Sequence, residues 1–270
     1  MLQDTLSIQL EVISQAPKGK SKATPLLFVH GAFTAAWCWD EYFLPFFAQH
    51  GYRAHALSLR GHGASGGHEF LALASIEDYV EDVARTAATL GAPPVLIGHS
   101  MGGLVVQKYL QAHEAPAAIL MAPVPPQGIL GSAMRMAIRD PLFFHEINLI
   151  QNAGKQDAAP DTVRRALFSP AMPDDEIRKH VLRMQPESQR AIFDLSWYHL
   201  RHPRQKVRAP LLVLGAENDA FFPRSVVELT AQTYGTRAEI FPGMAHAMML
   251  ERDWQKVARR ILEWLHQQDL

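Results

Sequence analysis

The stretch Val95–Val106, VLIGHSMGGLVV, decides how this chain folds. An apolar run leads into a serine flanked by glycines, and a second apolar stretch with helical periodicity follows. This pattern predicts a strand that turns sharply into a helix at Ser100, because glycine tolerates the close approaches and strained dihedral angles of such a turn. The turn would lift the serine hydroxyl out of the sheet, which makes Ser100 a candidate nucleophile.

The same G-x-S-x-G spacing occurs a second time, in GASGG at Gly63 to Gly67, so spacing alone does not select the serine. Around Ser65 the sequence RGHGASGGHEF has no helix that opens at the serine, which indicates a glycine-rich turn. The apolar strand before GHS and the helical pattern after it therefore favour Ser100.

Further short apolar runs alternate with amphipathic stretches along the chain. PLLFVHG, AHALSL, PVLIGHS, AAILMAP, PLLVLGAE and RAEIFPG are bounded by Gly or Pro and predict strands. Several are apolar throughout, as is typical of parallel strands that helices cover on both faces. The opening TLSIQLEVIS alternates with a period of two and predicts an antiparallel edge strand. SIEDYVEDVARTAATLG predicts a helix with Ser75 as N-cap, Asp78 as its capping-box partner and Gly91 near its end.

The alternation of predicted strands and helices stops between Val124 and Arg208, where helical patterns and several prolines occur without a convincing strand. A helical insertion between two strands is expected above the carboxyl edge of the sheet, where ligands bind in open α/β folds. We therefore expect a core of residues 1–123 and 209–270, with a helical cap at residues 124–208.

Large apolar side chains in and near this cap are candidates for the wall of an apolar substrate pocket, although core packing explains each of them singly as well. They are Trp37, Trp39, Met134, Met136, Phe143, Phe144, Phe168, Met172 and Trp197. The cap arginines are expected to be solvated, and a carboxylate-bearing substrate is the alternative meaning. They are Arg135, Arg139, Arg164, Arg165, Arg178 and Arg183.

A serine hydroxyl needs a base within hydrogen-bond reach and an acid that orients the base. LLVLGAENDAFFP ends a strand and places Glu217 and Asp219 at the carboxyl edge, and we prefer Asp219 because Glu217 lies closer to the strand end. His246 follows the last predicted strand and precedes the C-terminal helix, so it is the candidate base. The chain order is then Ser, Asp, His.

Backbone N–H groups would stabilise the oxyanion of a tetrahedral intermediate. We expect one from Met101, directly after the serine, and one from Ala32, or less favourably Phe33, in the loop after LLFVHG. Histidines in loops that could face the cleft are candidates for a supporting role: His30, His62 and His68. His99 adjoins Ser100 but is expected to point elsewhere. No histidine spacing typical of a metal site is present, so neither a metal nor another cofactor is expected.

Charge and composition exclude several kinds of partner. Lys and Arg total 26 against 27 for Asp and Glu, without a basic block, so we expect no nucleic-acid partner. No stretch approaches the roughly 18 apolar residues of a membrane span, and no signal peptide begins the chain, so a soluble, cytoplasmic protein is expected. The single cysteine, Cys38, rules out an internal disulfide and is expected to fill the core.

Together these motifs resemble the α/β-hydrolase family: HGAF at His30, RGHGAS at Arg60, GHSMGG at Gly98, GAENDAFFP at Gly215 and MAHAMMLE at Met244. The resemblance covers nearly the whole chain outside the cap. It implies an α/β-hydrolase fold with a mostly parallel, eight-stranded sheet flanked by helices and a cap inserted between AAILMA and LLVLG. Haloalkane dehalogenases and epoxide hydrolases of this family carry an aspartate where Ser100 stands. The resemblance thus implies a serine hydrolase that cleaves a small-molecule carboxylic ester through an acyl-enzyme.

The branch within the family stays open. The motifs resemble small bacterial esterases and lysophospholipase-like hydrolases, and equally the cofactor-free haloperoxidases, which share the same three residues. Carbon–carbon bond hydrolases and plant hydroxynitrile lyases use a related constellation, so those chemistries are the alternatives. A non-catalytic binding protein of this fold would lack part of the triad, and here all three candidates are present.

Overall fold

The computed structural model describes residues 8–153, 160–201 and 207–270, and the helix residues 150–153, 160 and 197–201 by their backbone alone. In this part of the chain seven strands form one sheet. They are β1 Val12–Gln15, β2 Leu26–Val29, β3 Ala54–Leu57, β4 Val95–His99, β5 Ala118–Met121, β6 Leu211–Ala216 and β7 Ala238–Phe241. The order is β1-β3-β2-β4-β5-β6-β7, with β1 antiparallel to β3 and all other neighbours parallel.

The helices between the strands follow the amphipathic stretches. They are α1 Trp37–Asp40, α2 Phe43–Gln49, α3 Ile76–Thr89, α4 Met101–Ala112, α5 Leu130–Arg139, α6 Pro141–Ala153, α7 Pro160–Leu167, α8 Asp174–Arg183, α9 Gln189–Arg201, α10 Arg224–Thr233 and α11 Trp254–Gln267. A short 3-10 helix covers His68–Leu73. Among the described residues no helix is both long enough and apolar enough to cross a bilayer.

The seven strands correspond to the seven predicted stretches, one fewer than the eight that the family resemblance implies. In the described part of the opening stretch, only Val12 onward pairs as a strand. The backbone before it bonds to a loop instead: Gly66 N–H donates to the Gln9 carbonyl at 2.8 Å, and Glu11 N–H donates to Ser65 Oγ at 2.9 Å. These groups are therefore not free to join a strand ladder.

Both faces of the sheet are covered, as the continuous apolar runs predicted. Leu26 and Phe28 of β2 belong to one core, which α1, α2 and α11 cover. Leu27 and Val29 point the opposite way into a second core under α3, α4 and α10. Each fully buried side chain of this size stabilises the fold by roughly 2 kcal/mol relative to an exposed one. Cys38 is fully buried in the first core, as expected.

The start of α3 confirms its predicted cap. Ser75 Oγ accepts a hydrogen bond from Asp78 N–H at 3.2 Å, and the Asp78 carboxylate accepts one from Ser75 N–H at 2.8 Å. This reciprocal pair satisfies two of the amides that a helix start leaves without partners. Gly91 follows the helix with φ 75°, a conformation that glycine adopts without strain.

Five helices, α5 to α9, lie between β5 and β6. Residues 124–208 contain no strand where the structure describes them, in agreement with the sequence pattern.

Candidate active site

Ser100 occupies the sharp turn between β4 and α4 in a strained conformation. Its φ of 52° and ψ of −118° are uncommon for a residue with a side chain. The turn is held to β5, since Ser100 N–H donates to the Met121 carbonyl and the Ser100 carbonyl accepts from Val124 N–H, both at 3.0 Å. Strain that is held in this way is typical of functional turns.

Neighbouring glycines make the turn possible through close packing. A Cβ atom on Gly102 would lie 2.9 Å from the carbonyl carbon of Val29, and closer still to the carbonyl oxygens of Val29 and His30. A Cβ atom on Gly98 would meet the backbone of Gly102. The glycines thus let the first turn of α4 approach β2 and β4 without a clash.

The structure brings the three candidates Ser100, His246 and Asp219 into one hydrogen-bonded chain. Asp219 Oδ2 accepts from His246 Nδ1–H at 2.8 Å, and Ser100 Oγ–H donates to His246 Nε2 at 3.0 Å. The other oxygen, Asp219 Oδ1, accepts from the amides of Phe221 and Phe222 at 2.8 and 2.9 Å. Because His246 Nδ1 carries the proton that it donates to Asp219, the unprotonated Nε2 is free to accept the serine proton.

Glu217, the other acid considered, lies outside this chain. Its carboxylate is exposed and accepts from Gly243 N–H at 2.8 Å. Glu217 therefore ties the loop after β7 to the loop after β6.

The two residues whose backbone amides the sequence predicts as oxyanion donors lie next to Ser100 in the cavity wall. Ala32 and Met101 both line the cavity beside Ser100, and neither N–H donates to an acceptor among the described residues. Phe33 N–H, the alternative donor, is turned to the carboxylate of Glu187 at 3.4 Å. Of the two amides considered in this loop, Ala32 is the one left for a ligand oxygen.

The loop histidines have different positions. His30 is fully buried and absent from the cavity wall; its Nδ1–H donates to the Gly31 carbonyl at 2.8 Å, and its Nε2 accepts from Leu59 N–H at 3.0 Å. Burial lowers the pKa of His30 to about 3, so the ring is neutral. His68 is exposed in the 3-10 helix. His62 is fully buried and forms an ion pair with Glu187.

His99, expected to point elsewhere than Ser100, lies in the cavity wall beside Ser100, and its ring packs against the ring of the candidate base His246 with centroids 4.8 Å apart. Its Nε2–H donates to the backbone carbonyl of His246 at 2.9 Å. Burial holds the pKa of His99 well below its usual value, so the ring stays neutral. His99 therefore supports the backbone on which the His246 ring stands.

A cavity of about 610 Å³ opens above Ser100, and its wall is mostly apolar. All five helices α5 to α9 contribute to it. The wall includes the predicted residues Phe33, Trp37, Met136, Phe144 and Phe168, and also Ile147, Leu167, Val181, Met184, Ile192, Leu195, Phe221 and Leu250. No lysine or arginine lies in the described wall, so the arginines of α5 to α8 do not face it.

Some pocket candidates are placed elsewhere. Phe143 is buried against Ile147 and Ala166 in a small core of its own, because one residue along a helix turns the side chain by about 100° from Phe144, which faces the cavity. Met134 is exposed, and Met172 and Trp39 lie in the first core, which α1, α2 and α11 cover. Trp197 lies outside the residues whose side chains the structure describes.

The second G-x-S-x-G motif has a structural role. Ser65 is buried, its Oγ–H donates to the Ser58 carbonyl at 2.6 Å, and it accepts from Glu11 N–H. Both hydrogen-bonding capacities are occupied, so Ser65 holds the loop after β3 to the N-terminal segment.

Among the buried titratable residues of the cavity wall, sequence reasoning missed Glu187 and His180. Both are buried, His180 within α8 and Glu187 between α8 and α9. The order of the helices along the chain does not reveal which loop of the core each of these residues contacts. The one sequence signal was the position of Glu187 in QPES, an acidic residue just before α9 within a cap that is expected to cover the cavity. Among the described residues no group of three acidic, histidine or cysteine side chains is arranged to hold a metal ion.

The chain belongs to the α/β-hydrolase family, whose pattern matches residues 26–260. A monoacylglycerol lipase from Mycolicibacterium smegmatis is 24% identical over 246 residues, which cover 81% of this chain and 80% of the lipase. A non-heme chloroperoxidase from Streptomyces lividans is 38% identical over 118 residues, 40% of each chain. Several curated relatives are matched over only about a third to two fifths of their length.

The fold itself is shared with solved structures. An esterase from Exiguobacterium antarcticum superposes with a TM-score of 0.77 over 96% of both chains, at 20% sequence identity. The hydrolase fold with a mostly parallel sheet flanked by helices, predicted from the motifs, is thereby confirmed.

Proposed function

We propose that this protein is a serine hydrolase that cleaves carboxylic esters of small or medium apolar substrates through an acyl-enzyme intermediate. One observation carries the proposal. Ser100 Oγ, His246 and Asp219 form a continuous hydrogen-bonded chain at the base of an apolar cavity, with two unused backbone amides beside the serine. A nucleophile, an oriented base and oxyanion donors are the parts that acyl transfer requires.

The reaction follows from this geometry. Ser100 Oγ attacks the ester carbonyl carbon while its proton passes to His246 Nε2, and Asp219 stabilises the resulting imidazolium. The carbonyl oxygen becomes an oxyanion that accepts hydrogen bonds from the amides of Ala32 and Met101. His246 then protonates the departing alkoxide, which leaves as an alcohol. A water molecule, activated by His246 in the same way, hydrolyses the acyl-serine.

The cavity supports an uncharged, apolar substrate. Its volume falls within the range of roughly 300–1,000 Å³ that small-molecule sites occupy. The one carboxylate in the described wall, Glu187, is already paired with His62. With no cation in the described wall, nothing there favours a carboxylate-bearing substrate over a neutral ester.

We also propose that residues 124–208 form a cap over a core of residues 1–123 and 209–270. The support is that helices α5 to α9 supply one side of the cavity while the loops after β2, β4 and β6 supply the other. Substrate specificity would then depend on the cap.

A second candidate is perhydrolysis, in which hydrogen peroxide replaces water at the acyl-serine and a peracid leaves. The similarity to a non-heme chloroperoxidase favours it, although the matched segment covers 40% of that protein. Carbon–carbon bond hydrolysis and lyase chemistry use the same three residues and are the further alternatives.

The test is turnover of a p-nitrophenyl ester series from acetate to palmitate. Ser100→Ala should abolish turnover in a protein that still folds. Ser65→Ala is a matched control, since it makes the same change in the other G-x-S-x-G motif. It should retain turnover while losing roughly 1–3 kcal/mol of stability, because it leaves buried polar groups without partners.

Either outcome is informative. Serine-dependent turnover supports the acyl-enzyme route, and the chain-length optimum reports the depth of the cavity. Full activity in folded Ser100→Ala would refute the nucleophile assignment. A folded wild-type protein without turnover would favour the alternatives, and diketones, cyanohydrins and peracid formation from acetate and peroxide would then be assayed.

A further inference from the structure

The segment between α8 and α9 contacts the loop that carries Ala32. Both backbone groups of Phe33 are bound to it: the Phe33 carbonyl accepts from Gln185 N–H at 2.9 Å, and Phe33 N–H donates to Glu187 Oε2 at 3.4 Å. Phe33 has φ 64°, in the left-handed region that a bulky side chain rarely adopts. The two contacts thus hold a backbone conformation that Phe33 disfavours on its own.

Glu187 is fully engaged by protein donors. Its Oε1 accepts from Tyr79 O–H and Ser188 N–H, each at 2.7 Å, and its Oε2 accepts from His62 Nε2–H at 3.1 Å as well as from Phe33. The side chain is completely buried. A carboxylate in this position is satisfied by four donors, and one of those donors is the loop amide.

His62 supplies the opposite charge. Its Nδ1–H donates to the Arg60 carbonyl at 3.0 Å and its Nε2–H donates to Glu187, and because both partners are acceptors the ring carries both protons. Burial alone would lower the pKa of His62, but the carboxylate of Glu187 outweighs burial and raises it. Burial alone would raise the pKa of Glu187, but the charge and hydrogen bond of His62 lower it.

The segment is also held to the loop after β3. Gln185 Nε2 donates to the Gly61 carbonyl at 2.9 Å, and Gln185 Oε1 accepts from Gly63 N–H at 2.8 Å. The position of Glu187 is therefore set by the core at several points.

The direction of the Ala32 amide follows from its own peptide plane. The Gly31 carbonyl accepts from His30 Nδ1–H at 2.8 Å and from Thr34 Oγ1–H at 3.0 Å. In a trans peptide the N–H points opposite to the carbonyl, so this anchoring directs Ala32 N–H the other way. The core fixes the Gly31 side of Ala32, and the segment between α8 and α9 fixes the Phe33 side.

From these contacts we propose that Glu187 is a positioning residue: by holding Phe33 in its left-handed conformation, it keeps Ala32 N–H aimed at the oxyanion. The inserted helices then complete the oxyanion hole in addition to lining the cavity. This inference rests on the serine-hydrolase function proposed above.

The test compares Glu187→Gln with Asp82→Asn. Asp82 is a matched control, because it is also a fully buried carboxylate paired with a cation, Arg60, but it does not touch the loop of Ala32. Loss of an oxyanion donor costs about 10²- to 10³-fold in kcat, and a misdirected donor costs part of that. We expect kcat to fall roughly 10- to 100-fold in Glu187→Gln, with KM changed less than about threefold. In Asp82→Asn, kcat should stay within about twofold.

A transition-state analogue gives an independent measurement. An alkyl boronic acid, which forms a tetrahedral adduct with the serine, should bind Glu187→Gln more weakly by about the same factor as the loss in kcat. Glu187→Asp retains the charge and should recover part of kcat; it also serves as the test if Glu187→Gln does not fold. Equal losses of kcat in Glu187→Gln and Asp82→Asn, or unchanged kcat in both Glu187 variants, would overturn the inference.

Amide hydrogen exchange separates failure of this inference from failure of the proposed function. In Glu187→Gln the amide of Phe33, which donates to Glu187 in the wild type, should exchange at least tenfold faster than in the wild type, whether or not the protein cleaves esters. Unchanged exchange at the Phe33 amide would refute the positioning role. Faster exchange in a protein that lacks esterase activity would leave the positioning intact and refute only the hydrolase.

Discussion

Replacing Gly102 by alanine tests whether the close approach of α4 to β2 sets the position of Ser100. Ordinary van der Waals contact of a Cβ atom begins near 3.4 Å, whereas a Cβ on Gly102 would lie 2.9 Å from the Val29 carbonyl carbon. The start of α4 must therefore retreat by at least 0.5 Å (3.4 − 2.9), and further to clear the carbonyl oxygens of Val29 and His30. Backbone atoms on both sides leave no flexible side chain to yield.

The loss of stability expected in Gly102→Ala lies at the upper end of the range for overpacked cores. Overpacking costs typically 1–3 kcal/mol, and we expect about 3 kcal/mol here, which corresponds to a fall in Tm of roughly 6–12 °C. The retreat also moves Ser100 and Met101 away from His246 and Ala32. Since a misplacement of about 1 Å costs on the order of 10²-fold in rate, kcat on a p-nitrophenyl ester should fall by 10-fold or more.

Gly131→Ala is the matched control. Gly131 is the second residue of α5, as Gly102 is of α4, but a Cβ atom there has nothing within 4 Å. This variant should be as stable as the wild type or more stable by about 0.5–1 kcal/mol, with unchanged kcat. Differential scanning calorimetry and ester kinetics on both variants measure these quantities. If Gly102→Ala melts within 1 °C of the wild type and keeps its activity, the packing argument is wrong.

Three further outcomes are expected. Asp219→Asn should lower kcat by about 10⁴-fold with little change in fold, because the amide favours the wrong tautomer of His246; a loss below tenfold in ester kinetics would contradict this role. Folded His30 has a pKa near 3 while the unfolded chain protonates near 6.5, so the unfolded state binds more protons as pH falls. Urea denaturation should therefore show stability falling by about 2 kcal/mol more between pH 7.5 and 5 in the wild type than in His30→Gln, and an equal fall would refute the assignment. Burial raises the pKa of Cys38 to about 12, so Ellman's reagent at pH 8 should label it only after unfolding; labelling of the native protein would show that the thiol is accessible.

Local sequence rules accounted for the elements that depend on neighbouring residues. The cap of α3 follows from Ser75 and Asp78, three residues apart, and the turn at Ser100 follows from its flanking glycines. Six of the seven strands follow from short apolar runs bounded by Gly or Pro, four of them buried throughout, and β1 follows from an alternation of apolar and polar residues. The eighth strand, by contrast, came from the family resemblance, and the hydrogen bonds of Gln9 and Glu11 to a distant loop account for the shorter β1.

In the candidate site, too, the sequence predicted some features and the structure alone placed others. Chain order and strand ends were enough to bring Ser100, Asp219 and His246 together, because the carboxyl ends of parallel strands meet at one edge of the sheet. Composition did not separate Phe144, which faces the cavity, from Phe143, which does not, since the rotation of α6 depends on what α7 presents to it.

The sequence by itself therefore determined the fold class, the strand-to-helix turn at Ser100 and the identity of its two partners. Each of these depends on short-range pattern and on the fixed order of strands. The tertiary structure alone decided that Glu187 meets Phe33 and His62, which lie 154 and 125 residues away in the chain. Contacts at such separations arise from how the inserted helices pack on the core, and no local pattern of the sequence encodes that packing.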